Sequence, residues 1–548
     1  MIRIWGYYYN MIHRGQPADL CRSGIMPKGA ARTSGVSMKR INKRLAAIDI
    51  GTNSIRCIVV EVLDNGKFRV LDDEKATVRL GESLQDGGGI SPVAWERALE
   101  NLVRMKKIVD GYGVDAVEAV ATSAVRRASN GPEFTRAVAE RTGIEISIIS
   151  GEEEAHLLAL SVLHNFDLEG MRYAMVDIGG GSVEIVTAAG NLIEEFYSLE
   201  LGAVALTEKF LHHDPVSRDD LSRLQRHIRS SLKNALAGDE VKTQSIVASG
   251  GTVTSIASMI MAMRREGYGS VHCYEVLRSD VVHLMAMLHR KNLNERKSIP
   301  GLNPDRADII VAGVAVIDEL MRFFDANILR VNERGIREGL ILKSLKKHDF
   351  IDESNGQRNW RTAALEFARS CLVNEEHAKQ VSRLALSIFD VLSDTFSLKD
   401  RERQFLEAAA LLHDIGYLIS YASHHKHSYH LVRHADLFGF TPREREIIAN
   451  VCRYHRKSLP KKKHEGFAGL ASEDRLLVNR LGGILRLADG LDRRRNSLVK
   501  NLQCTLSQTT FRVMLQGEED LSVEIFGGRE KADLLESAFQ RKLILSAS

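Results

Sequence analysis

The sequence predicts an α/β protein with two lobes of one type, followed by an all-α domain and a small C-terminal α+β unit. Three observations carry that expectation. The hexapeptide Asp49-Ile-Gly-Thr-Asn-Ser54 returns as Asp177-Ile-Gly-Gly-Gly-Ser182, identical at four of six positions. The order of strand and helix signals after the first copy restarts at the second. Beyond Asp349 the strand signals stop, apolar residues recur at helical spacing, and nine of the 19 histidines fall between His377 and His464.

The elements follow in order. In the first lobe, residues 45–170, apolar runs over 45–50 and 55–63 flank the first hexapeptide. Asp64-Asn65-Gly66 then reads as a tight hairpin turn into a third strand over 68–71. Ser91 and Pro92 open a helix of about 18 residues, since serine caps free amides and proline suits the first helical position. A strand over 117–121 comes next. In the second lobe, residues 171–348, runs over 173–178 and 183–187 repeat the hairpin, and long helices are expected between 203 and 236. Strand 246–248 leads into Ser249-Gly250-Gly251-Thr252 and another helix. Asn303 and Pro304 are expected to cap a long helix reaching Phe324, and residues 335–347 close the lobe. Residues 349–500 form the helical domain. In the last unit, 501–548, alternation over 502–526 predicts a small antiparallel sheet followed by a helix.

A chain of 548 residues and 61.1 kDa is too long for one ordinary core and suits three or four domains. With 44% apolar and 27% charged residues the composition is that of a soluble globular protein, and no run approaches the ~18 apolar residues of a membrane span. No membrane partner is expected. Six scattered cysteines without a Cys-x-x-Cys pair fit a reducing compartment, hence the cytoplasm. The net charge of +4 hides a division: residues 1–44 hold nine Lys/Arg and one acidic residue, leaving −4 for the rest. That leader has no signal-peptide pattern. It reads as a disordered leader or as a start set upstream of Met26 or Met38, with an Arg-rich transit peptide as the third reading. The remaining balance offers no global field for nucleic acid, and no nucleic-acid motif appears, so a polyanion substrate must be held locally.

Backbone that approaches phosphate oxygens needs glycines, free amides and small hydroxyls, with a carboxylate nearby for a hydrated divalent cation. Gly51-Thr52-Asn53-Ser54 and Gly179-Gly180-Gly181-Ser182 both supply these after an apolar strand, each preceded by an aspartate. One such loop is as well explained as a hairpin turn. Two matched loops and a third at 249–252 point to phosphate. The pairing resembles the actin and sugar-kinase superfamily, whose duplicated lobes clamp phosphates between facing hairpins. Six motifs in order then resemble the Ppx/GppA family of exopolyphosphatases and guanosine pentaphosphate phosphohydrolases, over roughly residues 45–500. They are Asp49 to Arg56, Ala121 to Arg126, Ile149 to Ala155, Asp177 to Glu184, Ala248 to Thr252, and Arg337-Glu-Gly339. Ala124-Val125 stands for the commoner Thr-Leu, and Val183 for Thr. Neither change removes a charge.

The resemblance implies roles for particular residues. Ser150 and Glu153 have the spacing of a capping box, so Glu152, Glu153 and Glu154 lie in the first turn of a helix, where acidic groups favour the dipole. The family's catalytic glutamate precedes the alanine of this motif, which makes Glu154 the group that orients and deprotonates the attacking water. Asp49, Asp177 and Glu184 are the candidates for Mg²⁺, with Mn²⁺ as the alternative ion, and Arg126 for stabilising the terminal phosphoryl group. The family also implies a homodimer.

In the helical domain, His377, His413-Asp414 and Asp489 follow the order that resembles the HD superfamily, in which four such side chains bind a divalent metal. Mixed imidazole and carboxylate ligands suit Mn²⁺, Fe²⁺, Co²⁺ or Zn²⁺ better than Mg²⁺. His424, His427, His430 and His434 add further ligand candidates. Arg453, Arg456, Lys457, Lys461 to Lys463 and Arg493 to Arg495 offer basic surface to a long polyanion. The preferred reading is therefore an exopolyphosphatase acting on inorganic polyphosphate, with pppGpp hydrolysis to ppGpp as the alternative. A non-hydrolytic or kinase-like ATP-binding protein and an HD-type nucleotide phosphohydrolase are the readings from other classes.

Overall fold

Strand β1 (Arg44–Ile50) is buried along almost its whole length because it lies in the middle of a sheet, with a neighbour on each side. That placement explains its unbroken apolar run. The structure is a computed structural model describing residues 43–548 apart from 64–66, 83, 85–87, 237–242, 244 and 348–358. The leader through residue 42, the Asp64-Asn65-Gly66 turn and the Asp349 junction lie outside the described residues.

β1 pairs antiparallel with β2 (Ser54–Val62), which pairs antiparallel with β3 (Phe68–Thr77). On the other side β4 (Ala116–Ala121) and β5 (Ile146–Ile148) join in parallel, giving the order β3-β2-β1-β4-β5. The second sheet repeats this. β6 (Arg172–Ile178), β7 (Val183–Ala189) and β8 (Leu192–Leu199) form the antiparallel part, and β9 (Ser245–Ser249) joins β6 in parallel. With β10 (Glu275–Leu277) and β11 (Ile328–Val331) the order is β10-β11-β9-β6-β7-β8, the first sheet's order with one strand added at the edge. The ladders of β2 with β3 and of β7 with β8 each break register once, at Val59/Val60 and Thr187/Ala188. The duplication expected from the hexapeptides therefore extends to strand order and to register irregularity.

The Ser91 cap forms, with its side chain accepting from the Ala94 amide at 3.3 Å, and the helix runs Pro92–Gly111. The helix expected from Asn303 is shorter. Asn303 caps only the single turn Pro304–Arg306, and the long helix starts afresh at Ile310–Phe323. The break leaves Arg306 buried, its guanidinium turned toward Thr252.

Two helices tie the lobes together. Gly151–Asn165 follows β5, and Ile336–Lys347 returns to pack on it and on β1. Glu338, buried between them, accepts from Ser161 Oγ at 3.0 Å, from Arg334 Nη1 at 2.6 Å and from Asn165. A charge buried this way is held by its partners.

Helices Glu375–Phe396, Asp400–Leu412, His424–His434, Pro442–Arg453 and Ser472–Gly490 enclose one core containing Val381, Leu406, Ile448 and Leu485. β12 (Asn501–Leu506) and β13 (Thr510–Gln516) are antiparallel, as the alternation suggests, but β14 (Lys542–Ala547) joins β13 in parallel. Residues 522–530, expected partly as strand, are the helix Ser522–Glu530. Its Gly527 allows contact with the Gly490 backbone, and its Gly528 leaves room for the Leu491 side chain, where larger residues would collide. Phe511, Val513, Leu515 and Leu545 complete the same core as the helices.

Gly339 packs against the carbonyl of Leu157, where an added Cβ would collide with backbone. Gly339→Ala should separate the two tying helices, cost about 1–3 kcal/mol, and lower the first thermal transition. An unchanged melting curve would show that the contact tolerates a methyl group.

Candidate active site

The two hexapeptide loops face each other. Gly51 N donates to Ser54 O at 3.1 Å, and Gly179 N to Ser182 O at 3.0 Å, so both loops close by the same hydrogen bond. A Cβ on Gly180 would stand 2.9 Å from Thr52 Cβ and 3.3 Å from the Asn53 amide nitrogen. Only glycine permits loops this close, which is why the second copy has Gly-Gly where the first has Thr-Asn. Gly250 supplies the third wall at φ 101°, a conformation that disfavours other residues.

The cleft so formed is lined by Asp49, residues 51–54, Glu154, Asp177, residues 179–182, Gly250 and Gly251. Ser249 and Thr252, predicted to touch phosphate, do not line it. Ser249 is fully buried and takes a hydrogen bond from Asn332 Nδ2 at 3.0 Å. Thr252 is already in the first turn of the Gly251–Arg264 helix and faces inward. Thr254 lines the cleft instead.

Helix Gly151–Asn165 carries Glu154 on its first turn. The capping box forms: Ser150 N donates to Glu153 Oε2 at 2.9 Å, and Glu153 N to Ser150 Oγ at 3.1 Å. Glu153 is thereby a capping residue, its pKa lowered by the Ser150 backbone hydrogen bond. Glu154 is buried, lines the cleft, and receives Arg126 Nη1 at 3.2 Å, while the same nitrogen donates to Ile149 O at 2.8 Å. The structure thus brings Arg126 against Glu154, although only Glu154 lines the cleft, and separates Glu154 from its two acidic neighbours.

Sheet register explains the charges around it. Asp49 on β1 lies opposite Arg56 on β2, and Asp177 on β6 lies opposite Glu184 on β7. Equivalent positions of the duplicated hairpin therefore hold a cation in one lobe and an anion in the other. Glu184 is fully buried, with Ser198 Oγ donating to Oε1 at 3.0 Å and Oε2 left without a partner. Asp49 Oδ1 is likewise buried and unpartnered. Desolvation raises the Asp49 pKa against the pull of Arg56 and Arg337. It lifts Asp177 to about 6, with Asp49 adding repulsion. Glu184 is pushed up to about 7 by desolvation, against a hydrogen bond from Ser182. Burial and then Glu184 hold Glu154 well above the usual carboxylate range, with Arg126 opposing.

Orphaned carboxylate oxygens and mutually raised pKa values are what a cation-binding pocket shows before its cation enters. Asp49, Asp177 and Glu184 fit Mg²⁺ by donor type. Their oxygens do not converge into a closed cage: among the described residues, the groups of three or more ligating side chains within 4.8 Å lie in the helical region. An ion held by one or two carboxylates, water and substrate phosphate matches the open arrangement.

Sequence reasoning missed the arginines. Arg56, Arg306, Arg334 and Arg337 also line the cleft. Arg306 is lowered to about 10 by burial and by Arg56. Arg337 pairs with Asp73. Arg56 and Arg337 belong to motifs already recognised and were legible in principle. Arg306 carried no local signal, because only the broken helix turns it inward.

In the helical region the predicted quartet converges. His377 Nε2 stands 3.9 Å from Asp414 Oδ2 and 3.5 Å from Asp489 Oδ1, and His413 Nε2 stands 3.6 and 3.9 Å from the same two oxygens. His377 Nδ1 lies 2.7 Å from Asp492 Oδ2. Burial works against charge on His377, but hydrogen bonds to Asp489 and Asp492 lift its pKa to about 9. Asp492 was not anticipated.

The cleft carboxylates bear on stability. Their folded pKa values exceed the ~4 of an unfolded chain, so between about pH 4 and 7 the native state keeps protons that the unfolded state has lost. Metal-free protein should lose stability as pH rises through that window. Mg²⁺ binds the ionised forms, and should raise the melting temperature more at pH 7.5 than at pH 5. Equal shifts in thermal-denaturation titrations would show that these groups do not hold the ion.

A profile of the Ppx/GppA phosphatase family matches residues 58–348, and a profile of Ppx/GppA phosphatase domain III matches residues 360–536. Among solved structures, an exopolyphosphatase from Cytophaga hutchinsonii ATCC 33406 is 28% identical, with 57% of this chain covering 100% of that one at a TM-score of 0.53. A Ppx/GppA family member from Aquifex aeolicus is also 28% identical, with 56% of this chain covering 99% of that one at 0.49. An exopolyphosphatase-like protein is 24% identical, with coverages of 56% and 99% and a TM-score of 0.52. No described helix is long and apolar enough to cross a membrane.

Proposed function

The chain belongs to the Ppx/GppA phosphatase family, and from that premise we propose that it is an exopolyphosphatase, releasing orthophosphate from the end of inorganic polyphosphate. The observation that carries the choice of substrate is the lining of the cleft. Four arginines line it, and among the described residues no aromatic side chain does. Its cavity measures about 100 Å³, well below the ~300 Å³ at which small-molecule sites begin. Narrow, rich in arginine and without a ring-stacking surface, it suits a phosphate chain end better than a nucleoside.

The reaction needs positioning and charge compensation more than covalent help. Loop amides from 51–54 and 179–182 grip the terminal phosphates. Arg56, Arg306 and Arg337 neutralise their charge, and Arg126 lies where charge builds on the transferring group. Glu154 orients a water for in-line attack on the terminal phosphorus and accepts its proton. A raised pKa suits that task, since a base near neutrality drives proton transfer best. Mg²⁺, held by Asp49, Asp177 and Glu184, would screen the phosphate charge. The exposed Lys461, Lys462 and Lys463 on the helical region extend the cationic surface available to a long chain.

Three measurements test this reading. Glu154→Gln should cut phosphate release from long-chain polyphosphate by about 10²–10⁴-fold while leaving polyphosphate binding within a few-fold; wild-type turnover would remove Glu154 from the mechanism. Wild-type protein should release phosphate from polyphosphate faster than from pppGpp or ATP, assayed side by side with Mg²⁺ and with Mn²⁺. Preference for pppGpp would replace the substrate and keep the site. Replacing Lys461, Lys462 and Lys463 with Ala should weaken binding of long chains and spare short ones, with the difference shrinking as salt rises; equal loss for both lengths would contradict multisite binding.

A further inference from the structure

Arg334 lines the cleft and is also held by the helical region. Its Nη1 donates to Glu338 Oε1 at 2.6 Å, and its Nη2 donates to Asp436, which follows helix His424–His434. The two carboxylates fix the guanidinium plane from two sides. A guanidinium carries more N–H donors than they take, so donors remain for an anion in the cleft.

Asp436 is itself seated on the second lobe. Arg445 Nη1 donates to Ala435 O at 2.9 Å and its Nη2 to His272 O at 3.3 Å, so one buried arginine ties the turn that carries Asp436 to the lobe. Just before this turn, Arg433 Nη2 donates to Gly267 O at 2.6 Å and adds a second tie. His272 Nε2 stands 4.0 Å from Asp436 Oδ1. Burial lowers the His272 pKa to about 4, so near neutral pH it meets Asp436 as an uncharged ring and Arg334 meets it as a cation.

From Arg334 the polar contacts continue inward to the helix that carries Glu154. Glu338 Oε2 accepts from Ser161 Oγ at 3.0 Å and from Asn165, both on Gly151–Asn165. Asn332 Oδ1 accepts the Arg334 backbone N–H at 3.2 Å, and Asn332 Nδ2 donates to Ser161 Oγ at 3.3 Å and to Ser249 Oγ at 3.0 Å. Glu338, Ser161, Asn332 and Ser249 are all buried. Backbone and side chain of Arg334 thus belong to one network, rigid toward the lobes and closed on its outer side by a residue of the helical region. Networks of this kind couple their members when one is lost.

We propose that Arg334 grips a phosphate of the bound chain behind the terminal group, and that Asp436 is its positioning residue, so the cleft is complete only while the helical region is docked. Such a role presupposes that the cleft hydrolyses polyphosphate. It gives the helical region a part in substrate binding at the cleft itself, separate from the basic surface at Lys461 to Lys463. Released from Asp436, the guanidinium keeps its charge and loses its direction, which weakens the grip on the chain more than it slows attack at the terminal phosphorus.

Steady-state kinetics of the full chain on long-chain polyphosphate test the assignment. Asp436→Asn should raise KM about tenfold or more while kcat stays within about threefold. Arg334→Ala should raise KM as far, and combining it with Asp436→Asn should raise KM no further, because the two residues act as one unit. Asp436→Glu keeps the carboxylate and should recover most of the lost affinity. Calorimetric titration of Glu154→Gln protein with tripolyphosphate should show the same order of affinities without turnover. Asp436 is 43% exposed, so its variants should melt close to the parent. A melting temperature that falls while KM keeps its parental value would reduce the contact to a structural tie and overturn the proposal, as would additive losses in the double variant. A parent protein that neither hydrolyses polyphosphate nor binds tripolyphosphate would overturn the reading of the cleft on which this role depends.

Discussion

Four acidic side chains, Asp49, Glu154, Asp177 and Glu184, are gathered where the two lobes meet, and like charges in a desolvated space repel unless cations share it. Much of the architecture answers that constraint. Arg126 lies against Glu154, Arg56 opposes Asp49 across the ladder, and Arg306 closes the cleft from the second lobe. Asp49 Oδ1 and Glu184 Oε2 are left buried without partners.

Duplication makes the arrangement economical. One hairpin, used twice, supplies two facing turns closed by the same hydrogen bond. A single difference at the position seven residues after each aspartate, Arg56 against Glu184, makes the two copies unlike in charge. A symmetric frame thus yields a site that is asymmetric in charge. Helices Gly151–Asn165 and Ile336–Lys347 then cross between the lobes and hold Glu154 over the gap.

The helical region gathers its buried polar groups in another way. The cleft is walled by glycine-rich turns and arginine, whereas the second cluster is built of imidazoles held by backbone carbonyls from several helices. Arg334 links the two parts, pairing with Glu338 beside the lobe-tying helices and with Asp436 of the helical region.

Much of this was legible in the residues themselves. The duplicated hexapeptide announced the lobes, because a hairpin that grips phosphate needs a short local run of small residues. The capping box at Ser150 placed Glu154 on a helix start, and the order of His377, His413, Asp414 and Asp489 brought out half of the second cluster. Those signals are local, set by nearest neighbours along the chain. What only the tertiary structure decided depends on distant segments: the inward turn of Arg306 after a broken helix, the retreat of Ser249 and Thr252 behind the cleft wall, the parallel return of β14, and the arrival of His455 and Asp492 beside Asp414 and His377. Each is fixed by packing between residues far apart in sequence, where burial and charge compensation outweigh local preference.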